Sequence, residues 1–62
     1  MSDVIKSKSF HHNNLELKLI YDADLEIFHI EIYRSNNKQT FDLFGIFLDE
    51  NEAIQKFDSI NL

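Results

Sequence analysis

The fold class predicted by this 62-residue sequence is α+β: an antiparallel meander of three to four strands, then one C-terminal amphipathic helix packed on one sheet face. Three observations predict it. Segments of strand length, rich in Ile, Leu, Phe and Tyr, are separated by clusters of Asn and Asp, residues that tolerate left-handed backbone angles and build their own turns. Within those segments apolar residues alternate with period two. After Asp49 the apolar spacing becomes helical. With no proline, a single glycine and no linker, repeat or low-complexity stretch, residues 1–62 read as a single domain.

The first segment, about Val4 to Phe10, reads as an edge strand whose lysines and serines discourage pairing with another sheet. His11-His12-Asn13-Asn14 forms the first turn. From Leu15 to Asp22, Leu15, Leu17, Leu19 and Tyr21 share one face, while Glu16, Lys18, Ile20 and Asp22 share the other. A turn at Asp22-Ala23-Asp24 leads into the segment Leu25 to Arg34. There Phe28, Ile30 and Ile32 make an apolar face and Ile27, His29, Glu31 and Tyr33 a mixed one. Ser35-Asn36-Asn37-Lys38 is the third turn. The segment Gln39 to Leu48 is apolar on both faces, and Gly45 in its middle suggests a β-bulge that shifts the alternation by one.

Asp49 and Glu52 then have the spacing of a capping box, in which each side chain satisfies a backbone N–H of the other residue. Glu50 adds negative charge at the positive end of the helix dipole. Ala53, Ile54, Phe57 and Ile60 recur on one helix face. A helix this short is marginal alone, so it must dock on the sheet.

Composition excludes several classes of function. A domain of about 60 residues buries only about 60% of the surface its unfolded chain exposes, so its core is small. Zero cysteines exclude disulfides and cysteine-based zinc sites. No apolar run approaches the ~18 residues that span a bilayer, and the amino terminus lacks an apolar signal-peptide core. A soluble cytoplasmic domain with no membrane partner is expected. The net charge is −5, and it is unevenly placed. Lys6, Lys8 and Lys18 outnumber Asp3 and Glu16 in residues 1–18. Nine acids face only Arg34, Lys38 and Lys56 in residues 19–62. Such a surface disfavours nucleic acid and attracts a basic protein surface.

No catalytic motif stands out. His11, His12 and His29 lack the spacing of a shared metal site. Asp22, Asp24 and Glu26 begin like a calcium loop, but Ile27 and Tyr33 stand where such a loop needs glycine and a bidentate glutamate. The serines lack the flanking glycines of a nucleophile elbow, and phosphate or dinucleotide loops need several glycines. No enzyme activity and no cofactor are expected. The residues assigned to a basic protein partner are Asp22, Asp24, Glu26, Asp49 and Glu50. One helix covers one face, so the surplus apolar groups point to a homodimer through Tyr33, Phe41, Leu43, Phe44 and Ile46. The alternative is a single-stranded nucleic-acid-binding homodimer that uses Lys6, Lys8, Lys18 and Arg34 with stacked aromatics.

Four strands followed by a helix opened by Asp49–Glu52 resembles the single-stranded-DNA-binding transcriptional coactivators and Whirly proteins, an architecture that dimerises. Their basic DNA-binding face has no counterpart here, so their activity is not carried over. In its size, acidity, lack of cysteine and Asn-rich turns the chain also resembles the small counter-defence proteins of phages and mobile elements, anti-CRISPR proteins among them. That resemblance implies an inhibitor or regulator of a nucleic-acid-handling complex, with no residue transferred.

Overall fold

The computed structural model describes residues 2–35 and 40–61, and of residues 40–44 the backbone only. Four strands are followed by one helix: β1 (Ser2–Phe10), β2 (Leu15–Asp22), β3 (Ile27–Arg34), β4 (Thr40–Phe47) and α1 (Glu50–Ser59). The sheet is antiparallel, in the order β1-β2-β3-β4, so each strand pairs with its neighbour in sequence. The expected α+β meander is the observed fold. β1 lies at an edge, as expected, and begins two residues earlier than the sequence reading. Leu25 and Glu26 belong to the turn rather than to β3, and Leu48 lies beyond the end of β4. Asn36 to Lys38 of the expected third turn, and Gln39, lie outside the described residues.

The alternation in β2 and β3 places the core. Leu17 pairs with Ile32 and Leu19 with Ile30, and all four are buried. Ala53, Phe57 and Ile60 from the helix side close over them, with Phe10, Leu15, Tyr21, Phe47 and Ile54 packed around the margin. Each large side chain so buried contributes about 1.5–3 kcal/mol. Ile20 departs from the simple pattern: it lies on the opposite face yet is 6% exposed. Its register partners, Val4 and His29, flank it on both sides in the middle of the sheet.

Gly45 forms the expected bulge. His29 pairs with Ile46 and Ile30 with Phe44, so Gly45 is the extra residue between them. Its φ is +55°, and a Cβ there would lie 3.2 Å from the Phe47 ring, so no other residue fits without strain.

The first two hairpin loops have the same length. His11–Asn14 links the pair Phe10–Leu15, and Ala23–Glu26 links Asp22–Ile27. In both, the last loop residue is left-handed: Asn14 with φ 57° and Glu26 with φ 55°.

Candidate functional site

The strand order brings the two acidic segments to one end of the sheet. β2 ends at Asp22 and β3 begins at Ile27, while Phe28 pairs with Phe47 at the end of β4. The helix starts at Glu50, three residues later, at the same end of the sheet as the β2–β3 turn. Ser2 pairs with Asp22 and Asp3 with Tyr21, so Asp3 joins the same end. Asp3, Asp22, Asp24, Glu26, Asp49, Glu50 and Glu52 gathered there are more than half of the eleven acids. Their mutual repulsion opposes folding and is screened by salt.

These acids do different jobs. Asp22 Oδ1 accepts from the backbone N–H of Asp24 at 3.0 Å and of Leu25 at 3.3 Å, and so holds the turn. Asp49 is the N-cap, with Oδ2 accepting from Glu52 N at 3.0 Å. That is one half of the expected capping box. Glu26 and Glu50 are exposed, and Glu50 lies in the first turn of α1. Asp24 is exposed within the turn. Of the five residues assigned to a partner, Asp22 and Asp49 therefore hold backbone as well.

The lysines of β1 turn to the other end of the helix. Lys6 and Lys8 pair with Leu19 and Leu17, on the helix side of the sheet. Lys8 Nζ donates to the carbonyls of Phe57 and Ile60, both at 2.8 Å, and lies 4.9 Å from the Phe57 ring centroid. Lys6 Nζ donates to Asp58 at 2.9 Å. The Phe57 carbonyl also accepts from the C-cap N–H of Ile60 at 3.3 Å, so the Lys8 cation adds a second donor there and opposes the negative end of the helix dipole. Their place in the sequence marks them only as guards of an edge strand; contact with residues about fifty positions away has no local signal.

The sheet face that the helix leaves open carries a polar row. His29, Glu31 and Tyr33 stand at alternate positions of β3. His29 Nε2 and Glu31 Oε2 are 2.7 Å apart, and Tyr33 Oη donates to Glu31 Oε1. Lys18, opposite Glu31 in register, holds its ammonium 4.9 Å from the Tyr33 ring centroid. The period-two spacing is legible in the sequence, but the role of Glu31 in joining its neighbours comes only from side-chain geometry.

Of the residues expected in a dimer interface, Tyr33 is half-buried within this row, and Ile46 is 69% exposed on β4. The side chains of Phe41, Leu43 and Phe44 lie outside the described residues. No three His, Cys, Asp or Glu among the described residues form a group able to hold a metal ion, and no helix among them is long and apolar enough to cross a membrane. His11 and His12 are exposed in the first turn.

No protein family, curated protein or solved structure matches this chain. The residues themselves carry the functional reading.

Proposed function

We propose that this chain is a small, non-enzymatic protein-interaction module whose acidic end binds a basic surface of a nucleic-acid-handling complex. It acts as an inhibitor or regulator of the phage-encoded, anti-CRISPR-like kind, in the cytoplasm. The observation that carries this reading is the convergence of Asp22, Asp24 and Glu26 with Asp49 and Glu50 at one end of the sheet. Two acidic segments separated in sequence there make one negative field, which steers a basic surface toward it and repels phosphate. The nucleic-acid alternative is weakened at the same time. Of its four cations, Lys6 and Lys8 are held against the helix end and Lys18 against Tyr33.

Glu26 and Glu50 are the residues to test, because Asp22 and Asp49 also hold the fold. Affinity capture from the native host should recover a nucleic-acid-handling complex that duplex DNA displaces. Glu26→Lys combined with Glu50→Lys should lose it while leaving the thermal midpoint nearly unchanged. Anisotropy titration of the chain alone with single- and double-stranded oligonucleotides at low salt should show no tight binding. Tight binding that weakens steeply with salt overturns the reading in favour of the nucleic-acid homodimer.

The exposure of Ile46 favours a second reading: a homodimer through Tyr33, Phe41, Leu43, Phe44 and Ile46, in which Leu43 and Ile46 pair in register with Glu31 and His29 of the open face and Phe44 with Ile30 of the helix-covered face. Sedimentation at micromolar concentration tests it, and a stable monomer removes it.

A further inference from the structure

Beside the Gly45 bulge, the open face of the sheet is hollowed into a concavity of about 370 Å³, lined among the described residues by His29, Glu31, Gly45 and Ile46. The bulge forms part of its lining. Gly45 is the extra residue between the Ile46–His29 and Phe44–Ile30 pairs. Ile46 makes one wall and is 69% exposed. The other wall is His29 and Glu31, whose side chains are only 18% and 19% exposed and are joined at 2.7 Å. Tyr33 Oη donates to the second oxygen of the same carboxylate. Both carboxylate oxygens are thus fixed in place before any ligand arrives, which lowers the cost of ordering on binding.

A fixed, half-buried carboxylate beside an apolar wall fits a long side chain with an apolar stem and a cationic head. The charges around the hollow favour a cation. In register with β3, the neighbouring strand brings Glu16 opposite Tyr33, Asp22 opposite Ile27 and the single cation Lys18 opposite Glu31. Lys18 already seats one ammonium over the Tyr33 ring on this face. A guanidinium suits the remaining space better than a second ammonium. It is planar and weakly hydrated, so it can lie flat against the glycine backbone and the imidazole while meeting the carboxylate. The volume is at the low end for ligand pockets, which suits one side chain better than a larger molecule.

We propose that this concavity is the anchor site for an arginine side chain of the basic partner, an inference that rests on the basic-partner reading above. The acidic end attracts the partner, and the Gly45 hollow fixes its register. The test is an NMR titration of the full chain with N-acetyl-arginine amide, with N-acetyl-lysine amide and N-acetyl-glutamine amide for comparison. The arginine probe should give saturable shifts at His29, Gly45 and Ile46, the lysine probe weaker ones and the glutamine probe none. Glu31→Gln should weaken the arginine probe about tenfold or more, the range for loss of a charged hydrogen-bond partner. Ile46→Ser, at a site exposed enough to spare the fold, should weaken it about threefold through loss of apolar contact. Glu26→Lys with Glu50→Lys, neither of which lines the hollow, should change it by less than Glu31→Gln does. Unsaturable shifts, shifts confined to Asp22–Glu26, indifference to Glu31→Gln, or a self-dimer that buries Ile46 each overturn the proposal. If the probe fails while the acidic end still captures a partner, the anchor site alone falls. If the probe binds while capture fails, the basic-partner reading falls and the hollow remains an arginine site.

Discussion

The two ends of the helix are closed by different means. At the start, Asp49 caps a backbone N–H three residues ahead, at Glu52. At the end, the carbonyls of Phe57 and Ile60 are met by Lys8, which precedes them by 49 and 52 positions. The start needs only its own sequence to form. The end has one local bond, from Ile60 N–H to the Phe57 carbonyl, but its contact with Lys8 forms only when β1 has joined the sheet and the helix has docked. Closing the helix therefore also ties down the edge strand, whose residues are otherwise mostly exposed.

Removing the shared anchor should have the largest effect. Phe57 is 2% exposed, and its ring lies beneath both Lys6 and Lys8. Phe57→Ala should destabilise the domain by about 3–5 kcal/mol, enough to unfold most of so small a chain. A thermal melt close to that of the parent would mean that the helix is not held by its core face.

Lys8→Met comes next. It keeps much of the stem while removing a part-buried cation from two carbonyls, and should cost about 1–2 kcal/mol. Hydrogen exchange separates this change from a local fraying: amides of β1 should lose protection together with those of the last helical turn. Protection lost from the helix alone would mean that Lys8 does not couple the two.

Asp49→Ala should have the smallest effect of the three, about 1 kcal/mol within the usual 0.5–2 kcal/mol for an N-cap. Its exchange signature should stay within the first helical turn. An unchanged thermal midpoint would place the helix start elsewhere.

The same contrast explains how much could be read in advance. Leu17, Leu19, Ile30 and Ile32 announce their face because strand geometry repeats every two residues, and Asp49 announces the helix because its partner is three residues away. Gly45 was legible as the sole glycine in a strand apolar on both sides. Lys8 was not legible, because nothing near it in sequence names Phe57 or Ile60 as its acceptors. The acidic end was visible as two separate clusters. Their convergence depends on how many strands intervene and on the direction in which β4 delivers the chain to the helix. The polar row on the open face was half legible: alternation places His29, Glu31 and Tyr33 side by side, but only side-chain geometry makes Glu31 the common partner.

Glu26 sets charge against backbone strain in one residue. At the matching place in the first loop the left-handed residue is Asn14, a type that accepts this conformation readily, whereas Glu26 holds φ 55° with a side chain ill-suited to it. Left-handed backbone costs an ordinary L-residue about 1–2 kcal/mol, a large share of what a domain of this size has in reserve. Asn or Gly here, as Asn14 in the first loop, would relieve that cost. The β2–β3 turn is therefore the place where added stability and the loss of a negative group should arrive in the same substitution.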